Sequence, residues 1–82
     1  MFEYIKGELT VKKVDYIAID INGLAYKVYI SLKTYESLGD LGSNQKVYIY
    51  TNVKEDNISF YGFKSENERE LFRSLVSISG VG

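Results

Sequence analysis

Residues 15–30 read DYIAIDINGLAYKVYI, and this stretch constrains the fold more than any other. Ile17, Ile19 and Ile21 recur at every second position, and so do Leu24, Tyr26, Val28 and Ile30. Side chains two apart on a strand share a face, so each half is a strand with one apolar side. Asn22-Gly23 lies between the halves. Both residues tolerate positive φ, which the tight two-residue turns of β-hairpins require. The stretch therefore reads as a hairpin.

The rest of the chain follows the same code with two changes of period. FEYIKGELTV, residues 2–11, suits a first strand with Ile5, Leu9 and Val11 on one face. Gly7 lies within it, where a bulge or sharp bend is expected. Lys12-Lys13 reads as a solvated turn. In SLKTYESL, residues 31–38, Leu32, Tyr35 and Leu38 recur every third residue. Ser31 suits an N-cap and Gly39 a stop, so one or two turns of helix are expected. After the loop DLGSNQ, KVYIYTNV (46–53) alternates again. Val47, Ile49, Thr51 and Val53 take one side, Tyr48 and Tyr50 the other. Residues 54–57 turn, and ISFYGF (58–63) forms a fifth strand. Ser65 with Glu68 three residues on is a capping box, with Glu66 and Glu68 at the positive end of the helix dipole. Leu71, Phe72, Leu75, Val76 and Ile78 are expected to form one apolar stripe. Glu66–Arg69 and Glu70–Arg73 are i,i+3 pairs worth about 0.2–0.5 kcal/mol each.

This order predicts a mainly β domain: a five-stranded OB-fold barrel, a short helix between strands three and four, and a C-terminal helix. An SH3-like barrel is the runner-up, and its usual spacing does not favour that helix. With 82 residues there is room for one small domain and little else. Eight Tyr and four Phe bring large buried areas to a small core.

Composition excludes several functions. There is no Cys, hence no disulfide framework and no thiolate chemistry. There is no His, so the usual general base and the commonest metal ligand are missing. No phosphate-cradling glycine motif occurs. An enzyme is not expected, nor a cofactor or a metal site. The formal net charge of −1 gives no bulk attraction to nucleic acid or anionic lipid. The opening MFEYIKGELT alternates charged and apolar residues and reads as neither a signal peptide nor a membrane span. No membrane partner is expected, and the cytoplasm is the default location.

Three features remain open to more than one reading. Glu55 and Asp56 sit at the tip between strands four and five. A solvated turn explains them. A catalytic pair does not, because adjacent residues on extended backbone point to opposite sides. The tyrosines are either packed or, at Tyr48 and Tyr50, platforms for stacking single-stranded bases. Gly80-Val81-Gly82 is either a glycine helix stop or the first turn of a helix-hairpin-helix motif, whose backbone N–H groups face a DNA phosphate. An apolar helix trailing a complete barrel needs something to pack on, so the chain is expected to be a fragment.

MFEYIKGELT, INGLAYKVYI, VKEDNISFYGF, ERELFRSL and the closing SGVG together resemble the N-terminal part of the RuvA family of bacterial Holliday junction branch-migration proteins. The resemblance runs through the whole chain in order. It implies an OB-fold domain over 1–63, then the first helix and the truncated helix-hairpin-helix start of a second domain over 64–82. It implies a non-catalytic DNA-binding subunit that forms a homo-tetramer on four-way junctions in recombination and repair. The RuvB ATPase is the implied partner, bound through a third domain that is missing here. Glu55 and Asp56 match the family's acidic pin at the junction centre, and Gly80, Val81 and Gly82 match the start of the phosphate grip. Junction binding by this chain alone is expected to be weak or absent. The alternative is an unrelated OB-fold that binds single strands or another protein.

Overall fold

The computed structural model describes residues 2–79. In chain order the elements are β1 (Tyr4–Lys12), β2 (Tyr16–Ile21), β3 (Leu24–Tyr29), α1 (Leu32–Ser37), β4 (Asn44–Lys54), β5 (Asn57–Phe63) and α2 (Glu66–Ser79). The strands close into a barrel in the order β1-β2-β3-β5-β4, with β4 returning to β1. Every neighbouring pair is antiparallel except β3 and β5, which meet in parallel at Tyr29 and Tyr61. This is the expected OB-fold arrangement, with a short helix between the third and fourth strands and a helix at the C-terminal end.

The period-2 reading locates the core. Ile5, Leu9, Ile17, Ile19, Val28, Val47 and Ile49 fill the barrel, joined by Leu38 from the end of α1. The β2–β3 hairpin turns as its sequence dictates. Asn22 has φ 55° and Gly23 φ 91°, and the Asp20 carboxylate accepts the Gly23 N–H at 2.8 Å.

Three local expectations need correction. The bulge in β1 lies at Thr10, not at Gly7: Leu9 pairs with Ile19 but Val11 with Ala18, leaving Thr10 as the extra residue. Val11 is accordingly turned out of the core and only half-buried. Gly7 instead marks a close approach, since a Cβ there would collide with the Asp20 carbonyl oxygen. In α1, Ser31 caps as expected, accepting the Thr34 N–H at 3.2 Å. The helix ends on Leu38 in extended backbone, and Gly39 does not take the left-handed conformation. Lys12 Nζ donates instead to the carbonyls of Leu38 and Gly39, at 3.5 and 3.1 Å. The every-third pattern drifts round a helix by roughly 60° per repeat, so Leu32 and Leu38 cannot share a face. Leu32 is exposed, while Thr34 and Leu38 are buried. The stripe expected on α2 also splits, because at 3.6 residues per turn its residues spread over roughly 160° and only one edge meets the barrel. Phe72 and Val76 are half-buried, whereas Leu71, Leu75 and Ile78 are exposed.

Candidate functional site

The β4–β5 hairpin carries a long ladder whose far end is exposed. Its ladder runs from Tyr48 opposite Phe63 to Lys54 opposite Asn57. Core side chains on β4 stop at Ile49. Phe60, opposite Thr51, still packs against the core, but beyond it the hairpin reaches into solvent, and even the apolar pair Val53 and Ile58 is 57% and 62% exposed. Glu55 and Asp56 are the two loop residues at its tip, flanked by exposed Lys54 and Asn57.

Neither acid does anything for the turn. Neither has positive φ. Among the described residues, neither makes a side-chain hydrogen bond or an ion pair. Both acids lie in the turn and not on extended backbone, so the alternation of strand side chains does not set their directions. Exposure without a bonding partner argues against acid–base chemistry, since nothing orients either carboxylate toward a reacting bond. The tip carries two exposed negative charges beside a single lysine.

The base of this hairpin is firmly held. Gly62 faces inward, where a Cβ would come 2.6 Å from Val28 Cγ1. Only glycine lets β5 lie this close to the core, so the Tyr-Gly-Phe run has a packing reason. Tyr61 and Phe63, on either side of it, point outward to Phe72 of α2, with ring centroids 5.7 and 5.2 Å apart. Tyr50 meets the same Phe72 ring edge-on at 5.3 Å. Tyr48 lies against Tyr4 and beneath the Arg69 guanidinium. Both tyrosines suggested as stacking platforms are thus engaged in intramolecular packing.

Arg69 pairs with Glu66 as the i,i+3 spacing predicts, but it is not a surface residue: only 3% of it is accessible. Its guanidinium donates to the Glu3 main-chain carbonyl at 2.7 Å and to the Glu3 carboxylate at 3.0 Å. Glu70 accepts at 3.0 Å, and Glu66 lies at 3.5 Å. Glu3 carbonyl also accepts the Ile49 N–H of β4, so the group sits where the start of the chain, β4 and α2 meet. The hydrogen bond from Arg69 holds the Glu3 carboxyl below the usual carboxylate range. A signal was present: Arg69, Phe72 and Val76 are spaced i, i+3, i+7, the face of one helix. A second tie joins the helices, Lys33 to Glu68 at 2.9 Å, and lowers the Glu68 pKa. Glu68 also completes the expected capping box with Ser65.

Among the described residues no cluster of three acidic or other metal-binding side chains occurs, and no helix is long and apolar enough to cross a membrane. Gly80, Val81 and Gly82 lie outside the described residues.

Residues 1–62, which span the barrel and the acidic tip, match the family model of the RuvA N-terminal domain. The chain belongs to this family. It is similar over all 82 residues to RuvA subunits of the Holliday junction branch migration complex. That of Fusobacterium nucleatum is 48% identical, with 42% of its length covered. Those of Acetivibrio thermocellus and Geotalea daltonii are 44% and 43% identical, each covered over 41% of its length. The chain thus spans about two-fifths of the length of these RuvA relatives.

Proposed function

We propose that this chain is the junction-centre module of a RuvA-type Holliday junction protein, and that Glu55 and Asp56 are its acidic pin. The observation that supports this most is the pair's idleness. Two carboxylates stand at the end of a braced, projecting hairpin and contribute nothing to its fold.

In a homo-tetramer each chain brings its own pair to one centre. Two unit charges ~10 Å apart repel by roughly 0.4 kcal/mol in water and by about 1.7 kcal/mol at an effective dielectric of 20. One such pair does little. Several facing crowded phosphates in a partly enclosed centre sum to a few kcal/mol. That disfavours duplex lying across the pins and keeps strands apart while base pairs exchange. The grip on the backbones belongs to a second domain. It begins at about residue 64, just before α2, and Gly80-Val81-Gly82 match the start of its helix-hairpin-helix motif in sequence. The protein itself is not an enzyme. Migration is driven by a RuvB ATPase bound through a further domain, in the cytoplasm.

Single-strand binding through the tyrosines is less well supported, because Tyr48 and Tyr50 are packed under α2. The test is a gel shift of four-way junction against linear duplex at fixed moderate salt, with this chain and with the full-length protein. The full-length protein is expected to prefer the junction, and this chain to bind weakly or not at all. Equal treatment of both DNAs by the full-length protein would overturn the reading.

A further inference from the structure

Ring and guanidinium contacts of α2 with the barrel include those of Arg69, Phe72 and Arg73. Phe72 supplies the apolar part, resting on Tyr50, Tyr61 and Phe63. Ring contacts of this kind are broad and tolerate sliding, so they do not by themselves set a helix direction. Arg69 does. Its guanidinium is planar and its donors form a rigid fork. Here the fork engages a main-chain carbonyl and a carboxylate of Glu3 together with Glu70 of its own helix. The carbonyl belongs to the barrel ladder through its bond with Ile49 N–H. The plane is also set against the Tyr48 ring, 5.7 Å from its centroid.

We propose that Arg69 is a positioning residue: it fixes the direction in which α2 leaves the barrel, and so the placement of whatever follows α2 relative to the Glu55–Asp56 tip. The consequence for DNA rests on the function proposed above, whereas the mechanical part does not. Two contact sites in one chain reinforce each other only when their spacing matches the target. A pin and a backbone grip joined by a loose helix would lose that match, even with both parts intact.

The chain has no cysteine, so paired spin labels can be placed at will. Lys13→Cys on the exposed β1–β2 turn and Ser77→Cys on α2 report the helix direction without DNA. The parent is expected to give one narrow distance distribution. Arg69→Met, which keeps an unbranched side chain but removes the fork, is expected to widen it about twofold. Arg69→Lys keeps the charge and should recover only part of the narrowing. In the full-length protein, Arg69→Met should lower the junction-to-duplex affinity ratio roughly tenfold, with duplex affinity unchanged. Should Arg69→Met fail to fold, Glu3→Gln weakens the same joint from its exposed side and should widen the distribution to a smaller degree. An unaltered distribution in a variant that is merely less heat-stable would overturn the proposal. A widened distribution with an unchanged affinity ratio would uphold the joint and contradict the junction reading instead.

Discussion

Two hairpin tips of one barrel have opposite characters. At the β2–β3 tip every residue serves the turn: Asn22 and Gly23 take positive φ, and Asp20 accepts the Gly23 N–H. At the β4–β5 tip, Glu55 and Asp56 have no positive φ, and among the described residues their side chains make no hydrogen bond or ion pair. The first tip is explained by folding. The second is not, and a residue pair that folding does not require is free to be chosen for function. The same contrast runs along β5, where Gly62 is dictated by the core and the acids a few residues before it are dictated by nothing inside the molecule.

Substitutions can break this contrast. The largest loss of stability is expected from Gly62→Leu. Its side chain would have to enter a filled core beside Val28, at a cost of about 3 kcal/mol or more. Chemical denaturation should register this as a lower midpoint with little change in slope. Next comes Gly23→Val, which puts a β-branched residue at φ 91° and should cost roughly 1–2 kcal/mol. If Gly23→Val proved neutral, the β2–β3 tip would not be governed by its turn geometry.

A third prediction concerns the joint between barrel and helix. Glu3 has its folded pKa lowered from an ordinary 4.5, chiefly by its hydrogen bond from Arg69, and Glu68 is lowered by Lys33. A carboxyl with a depressed folded pKa stabilises above its unfolded value and loses that contribution as pH falls through the folded one. Thermal stability should therefore decline on acidification below about pH 4.5, more steeply in the parent than in Arg69→Met. Equal slopes in the two proteins would show that the Arg69–Glu3 contact is not coupled to unfolding. The smallest effect belongs to the acidic tip. Glu55→Gln with Asp56→Gln should leave the denaturation midpoint within about 0.5 kcal/mol of the parent. A larger loss would mean that the acids serve the hairpin after all.

What was readable from sequence was what depends on neighbours in the chain. Alternation located the strands, Asn22-Gly23 the first tight turn, and Ser65 with Glu68 the start of α2. The core followed from Ile17, Ile19, Val28, Val47 and Ile49, because a one-residue error of phase would have exposed them all. What was not readable depends on how elements dock. Arg69 looks like a surface charge until α2 is laid on the barrel and Glu3 arrives from 66 positions earlier. Tyr48 and Tyr50 look available for stacking until the same helix covers them. The Thr10 bulge has no local marker, and the nearby glycine that suggested one, Gly7, serves a strand approach instead. At the candidate site the acids themselves were evident from the resemblance, while their idleness needed the structure.

Whether Glu55 and Asp56 act on DNA and not on the fold is decided by titrating labelled four-way junction and linear duplex with full-length parent and with the Glu55→Gln, Asp56→Gln variant, at one fixed salt concentration. Removing the repulsion should help duplex that lies across the centre more than junction whose centre is open. Duplex affinity should rise, junction affinity should rise less, and their ratio should fall by about tenfold, or some 1.4 kcal/mol. Unchanged affinities for both DNAs would contradict the pin role.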